Sequence, residues 1–201
     1  MNMSINYTAS WTQICNSALA RLGSEPIKDL TDTSNGAIFC NRFLPQAVEY
    51  VLGQWNFTFA RRRQKLAMNA EEPLFGWNYQ FNCPKDLIRL IEVIGGNNKT
   101  PTQSELVPYQ VENGMILTNS DSIYITYIAR PDNPNQLSHS ARNAISTHLA
   151  FLLSTPLTAS EQLISFLAAE SQRAIEQAKT EDAHMNYDPY AHGQDFHVEK
   201  R

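Results

Sequence analysis

The chain has 201 residues, 42% hydrophobic and 18% charged, enough to bury one good core or one domain carrying an inserted lobe. A formal net charge of −4 and an isoelectric point near 5.7 argue against a protein that wraps nucleic acid over a basic face. No apolar run approaches the roughly 20 residues of a membrane helix, and the opening MNMSINYTAS lacks the basic start and apolar stretch of a secretory signal.

Residues 1–9 are polar and read as a flexible arm. Ser10-Trp11-Thr12-Gln13 has the form of a capping box, and Trp11, Ile14, Cys15, Ala18 and Leu22 line one face of a first helix that Gly23 and Pro26 end. A polar loop over 24–34 leads to a second helix with Cys40, Leu44, Ala47, Val48, Val51 and Trp55 on its buried face. Pro45 lies inside it and is expected to bend or split it. From Trp55 the rhythm changes to a period of two, with Phe57 and Phe59 alternating with polar or small residues, which predicts a half-buried strand.

Further alternation predicts a strand over Trp77–Phe81, and the isoleucine-rich run Leu87–Ile94 predicts a central strand. Asn113-Gly114 between Val107–Glu112 and Met115–Thr118 is a hairpin signal, because both turn residues accept positive φ. Ser122–Ala129 is apolar on both faces and predicts a strand covered on both sides. Short connections imply an antiparallel meander. Ser138 caps a third helix bearing Ala141, Ala144, Ile145, His148, Leu149 and Leu152, which Thr155-Pro156 is expected to stop. Thr158-Ala159-Ser160-Glu161 reads as a second capping box, opening a long helix with Ile164, Leu167, Ala168, Ser171, Ala174, Ile175 and Ala178 on one stripe.

The expected fold is α+β. The N- and C-terminal helices, in 10–54 and 137–185, form a four-helix bundle, and an antiparallel sheet lobe over 55–130 is inserted between helices two and three. A flexible tail over 186–201 completes a single domain. Cys15, Cys40 and Cys83 cannot all pair, and the first two fall on apolar helix faces, so buried thiols in a reducing compartment are expected.

Little in the chain speaks of catalysis. GxGxxG, GxxxxGK followed by Ser or Thr, HExxH, GxSxG and CxxC are all absent, and no histidines and cysteines share a zinc spacing. No catalytic, cofactor-binding or metal residues are assigned, and the expectation is a non-enzyme without a cofactor. His148 on an apolar helix face reads as a hydrogen-bonded core histidine. Glu71 and Glu72 are adjacent loop carboxylates, whose spacing does not set the separation that glycan hydrolysis requires. Arg61, Arg62 and Arg63 are either a solvated strand end or contacts for phosphates or acidic groups of a partner. Phe75 and Trp77 in a loop, and Tyr187, Tyr190, Phe196 and Val198 in the tail, are candidate partner-binding residues, since aromatics anchor interfaces and a tail can order on binding.

The chain resembles the tail tubular protein A family of short-tailed bacteriophages, the head-to-tail adaptor or gatekeeper. The likeness rests on Ile14–Gly23 with Glu25-Pro26-Ile27, on Trp55-Asn56-Phe57 followed by Ala60-Arg61-Arg62, and on Gly76-Trp77-Asn78-Tyr79 with Pro84–Arg89. Ile116-Leu117-Thr118, Tyr124–Ile128 and the helix pair after Leu137 extend it over most of the chain. The resemblance implies a structural virion protein, assembled in the bacterial host cytoplasm and forming a ring of twelve subunits beneath the portal protein ring. It would continue the channel for packaged double-stranded DNA into a tail nozzle protein of the tail tubular protein B type, acting in tail assembly and genome ejection without a membrane. An acidic chain suits a channel that must release its DNA. Rival readings are a connector or head-completion protein of a long-tailed phage, a cell-wall or capsule glycan hydrolase that would depend on a carboxylate such as Glu72, and a nucleic-acid-binding module using Arg61–Arg63.

Overall fold

The computed structural model describes residues 8–96, 106–158 and 160–185. Over these residues the chain is mixed α+β, with four α-helices and two three-stranded antiparallel sheets.

Helix α1 (Trp11–Arg21) begins on the expected box. The Ser10 hydroxyl accepts the Gln13 amide, and the Gln13 side chain accepts the Ser10 amide, each at 3.1 Å. Two amides that a first turn leaves without partners are thereby satisfied. At the other end Gly23 takes φ +67°, which lets its own amide reach the Ala20 carbonyl and the Ser24 amide reach the Leu19 carbonyl.

Helix α2 (Asn35–Gly53) starts at Ser34, whose hydroxyl accepts the Ala37 amide. Cys40, Leu44, Ala47, Val48 and Val51 are buried, as their spacing requires. Pro45 does not split the helix, which runs as one element through it. Pro45 and Asn41 are both exposed, so water can reach the carbonyl that proline leaves without a donor.

The strand expected from Trp55 does not form. Thr58–Ala60 make a 3₁₀ turn, and β1 (Arg61–Lys65) starts only after it. The Thr58 amide is held by the carboxylate of Asp182 in place of a ladder bond.

The remaining strands are β2 (Tyr79–Asn82), β3 (Leu87–Gly95), β4 (Tyr109–Glu112), β5 (Met115–Thr118) and β6 (Ile123–Ala129). They divide into sheets of order β1-β6-β3 and β2-β5-β4, not one meander. Only the β4–β5 hairpin follows the local signal, with Asn113 at φ +46° and Gly114 at φ +73°. β3 is an edge strand and not the central one; that place belongs to β6. Register shifts in β3, between Leu87 and Arg89 and between Leu90 and Glu92, accompany Ile88 and Ile91 packing against the helical core. A strand bulged twice fits an edge better than a centre.

Strand β6 is covered on both faces, as its sequence implies. Ile128 belongs to a core shared with the helices, while Ile123, Ile125, Tyr127 and Ala129 join Leu66, Phe81, Val93 and Ile116 in a second core between the sheets. Helix α3 (His139–Leu157) packs against α1, α2 and α4 (Glu161–Met185). It continues past Thr155-Pro156 to Leu157, because only the Leu152 carbonyl in the last turn loses a donor. The box at Thr158 is displaced by two residues. Ser160 accepts the Leu163 amide and serves α4, while Thr158 closes α3 by donating its amide to Ser154.

Candidate functional site

The joint between helices and sheets is fastened from the far end of the chain. Asp182 sits on the buried stripe of α4, four residues beyond Ala178, and is 5% exposed. Its carboxylate accepts the Thr58 amide at 2.9 and 3.2 Å, the Thr58 hydroxyl at 3.2 Å and the Trp55 indole N–H at 3.3 Å. Charge-assisted bonds of this kind are roughly twice as strong as neutral ones. Asp182 does not stand out from composition or motif, but an acid at the next position of an apolar helix stripe is a readable signal for a buried carboxylate.

Immediately after the joint, the run Arg61-Arg62-Arg63 is split by the pleat. Arg61 pairs in register with Ile128 and Arg63 with Thr126, so both lie on one face of the sheet, whereas Arg62 opposite Tyr127 lies on the other. Arg62 reaches Asp86 at 2.5 Å and Asp132 at 3.8 Å, and the Tyr127 hydroxyl lies 3.3 Å from Asp86. Burial, followed by the charge of Asp86, pushes the Tyr127 phenol above its ordinary range. Arg62 is thus paired with carboxylates of its own chain. Arg61 donates to the Asn56 backbone carbonyl at 3.2 Å, and Arg63 is exposed. The three arginines are not one patch.

The loop before β2 carries the most exposed apolar side chains among the described residues. Leu74 is 98% and Phe75 86% exposed. Trp77 is treated differently: it is half-buried, and its indole N–H reaches Gln110 of β4 at 3.4 Å. The same loop is tied to its sheet by the Asn69 amide on the Gln80 carbonyl, at 2.9 Å, and by the Gln80 side chain on the Glu71 carbonyl, at 2.9 Å. Phe75 therefore projects from an anchored loop, while Trp77 is part of the anchor. Exposed Tyr109 and Val111 of β4 add to the apolar surface of this lobe. Glu71 and Glu72 lie exposed on that loop, and no other side chain of the described residues bonds to either carboxylate.

His148 is the core histidine its position implies. Its ring stacks on Tyr50 with centroids 4.2 Å apart, and Nδ1 is 2.8 Å from the Ser171 hydroxyl. Burial pushes its pKa down to about 4, so the ring is neutral near pH 7. Cys15 and Cys40 are buried free thiols, and Cys83 is half-buried. A cleft of about 430 Å³ between α1 and α3 is lined by Gln13, Ser17, Arg21, His139, Arg142 and Asn143, and Arg21 there holds Asn143 at 2.9 Å. No group of three metal-binding side chains gathers among the described residues, and none of their helices is long and apolar enough to cross a membrane.

Tyr187, Tyr190, Phe196 and Val198 lie outside the described residues. No family model matches the chain, and no curated protein matches it.

Proposed function

We propose that this chain is a head-to-tail adaptor of a short-tailed phage or prophage. In this reading it is a structural virion protein that sits as a ring, of twelve subunits by family resemblance, between portal and tail nozzle, continues the DNA channel and acts in tail assembly and genome ejection. The observation that carries the reading is the pair Leu74 and Phe75, held almost wholly in water on a loop that is itself tied down. Large apolar side chains in that position are spent on contacts with another molecule. The resemblance over most of the chain supplies the identity of that molecule: a portal above or a nozzle subunit below. The four helices then act as one bundle that braces the ring, and the sheets face outward or toward the nozzle. Partners are recognised through surface, and the reading assigns no reaction and no cofactor.

The test is to mix the purified chain with a cognate portal protein and to weigh the products by mass photometry. A stoichiometric complex is expected. Replacing both loop residues, Leu74→Ser with Phe75→Ser, should weaken either this complex or its capture of the nozzle protein while leaving the circular dichroism spectrum unchanged. Failure to bind portal under any salt condition sinks the reading. A separate deletion of residues 186–201 should abolish portal binding; an undiminished complex removes the tail from the proposal.

A further inference from the structure

Beside the joint, Arg61 and Arg89 stand in one row of the sheet. Both pair in register with Ile128, one from each side, so their backbones are about 10 Å apart across β6 at the usual strand spacing. Their side chains turn to a single residue. Arg61 donates through Nη2 to the backbone carbonyl of Asn56, and Arg89 donates through Nη2 to the side-chain oxygen of Asn56. Two guanidinium groups thus converge on a neutral amide.

No carboxylate of the described residues forms an ion pair with either. Glu92, two ladder rows away on the same face, accepts the Thr126 hydroxyl at 2.6 Å. Asp182 is engaged by Thr58 and Trp55. Asp86 lies with Arg62 at 2.5 Å. The Nε atoms of Arg61 and Arg89 are buried and make no hydrogen bond, and they are the two buried side-chain N or O atoms in that condition among the described residues. A buried donor without a partner bears an uncompensated desolvation cost, larger when it belongs to a charged group. Two such donors, on two neighbouring cations that form no ion pair among the described residues, leave hydrogen-bonding capacity that an anion can use.

We infer that Arg61, Arg89 and Asn56 form a binding site for a phosphate group. Each guanidinium presents its donors as a planar fork, a shape suited to two oxygens of one tetrahedral anion. Arg62 is excluded by its pairing with Asp86, and Arg63, on the same face, serves as an outer cation. The phosphate is either the free anion or a phosphodiester of a nucleic acid chain; the chemistry recognised is the same. This inference stands independently of the adaptor reading.

The Nε–H resonances of the arginines report directly on it. Inorganic phosphate is titrated into the full chain at constant ionic strength, balanced with sodium chloride. The Arg61 and Arg89 signals should move together and saturate at roughly 1–10 mM, while Arg63 moves less. The variant Arg89→Lys keeps the charge but loses the fork, and should weaken binding about tenfold. In a second arm, a short single-stranded oligonucleotide replaces phosphate. Movement of the same two signals assigns the site to a backbone phosphate, whereas a response to inorganic phosphate alone assigns it to the free anion, and either result upholds the site. Signals that stay still in both arms, that move in parallel with every exposed arginine, or that titrate unchanged in Arg89→Lys overturn it.

Discussion

Asp182 and Thr58 are separated by 124 positions in the chain, yet a carboxylate oxygen of one lies 2.9 Å from the amide of the other. This bond closes the α4 helix onto the segment where helices give way to strands. Asp182→Ala removes the acceptor for the Thr58 amide, the Thr58 hydroxyl and the Trp55 indole together. It should cost about 2–4 kcal/mol in urea unfolding, with Asp182→Asn costing less because one oxygen remains. A loss under about 0.5 kcal/mol for the alanine variant, the scale of an ordinary surface change, refutes the clamp.

Acid should weaken the fold through His148. Its folded pKa is about 4, below the unfolded value of 6.5, so between these limits the unfolded chain takes up a proton that the folded chain refuses. The stabilisation is fully present above pH 6.5 and is lost as pH falls toward 4, by at most about 3 kcal/mol. His148→Gln retains a partner for Ser171 and should flatten the stability profile between pH 4.5 and 6.5. A profile with the same slope in the variant shows that other groups carry the effect.

Gly95 has no room for a side chain. A Cβ there lies 2.6 Å from Val107 Cγ1 and 2.9 Å from Ser120 Oγ, and Ser120 is itself committed to the Ser122 carbonyl. Gly95→Ala should therefore destabilise by about 1–3 kcal/mol through overpacking between the sheets. A neutral or stabilising result in thermal melts contradicts that packing.

The three thiols should differ in reactivity. Cys83 is half-buried and the other two are buried, so an aromatic disulfide reagent should modify Cys83 first. Burial raises the Cys83 pKa, which makes even this reaction slower than that of a free thiol. Cys15 and Cys40 should be released only on adding denaturant. Rapid modification of all three in native buffer contradicts the core assignment.

Local signals were readable in the residues themselves. Ser10 with Gln13, and Asn113 with Gly114, act over a few positions, and the spacing of Cys40, Leu44, Ala47, Val48 and Val51 states a helix face without help from elsewhere. What lay beyond reach was pairing at a distance. β1 joins β6 across about sixty residues, and nothing in RRRQK names its partner. The alternation of Phe57 and Phe59 was real, since both rings meet at 5.2 Å, but an acid from α4 bent that stretch into a turn. The candidate site is half visible in the sequence: Arg61 is legible there as part of a run, and the pleat sends its neighbour Arg62 to the opposite face. Arg89 sits in a mostly apolar strand and becomes a companion of Arg61 only when β6 lies between them.

Tyr127 and Ile128 are consecutive residues of β6, one facing the space between the sheets and the other facing the helices. A single strand is therefore the common wall of two interiors, and neither can come apart while the other keeps its wall. Melting should accordingly be all-or-none, with helical and aromatic spectroscopic signals fading at one temperature.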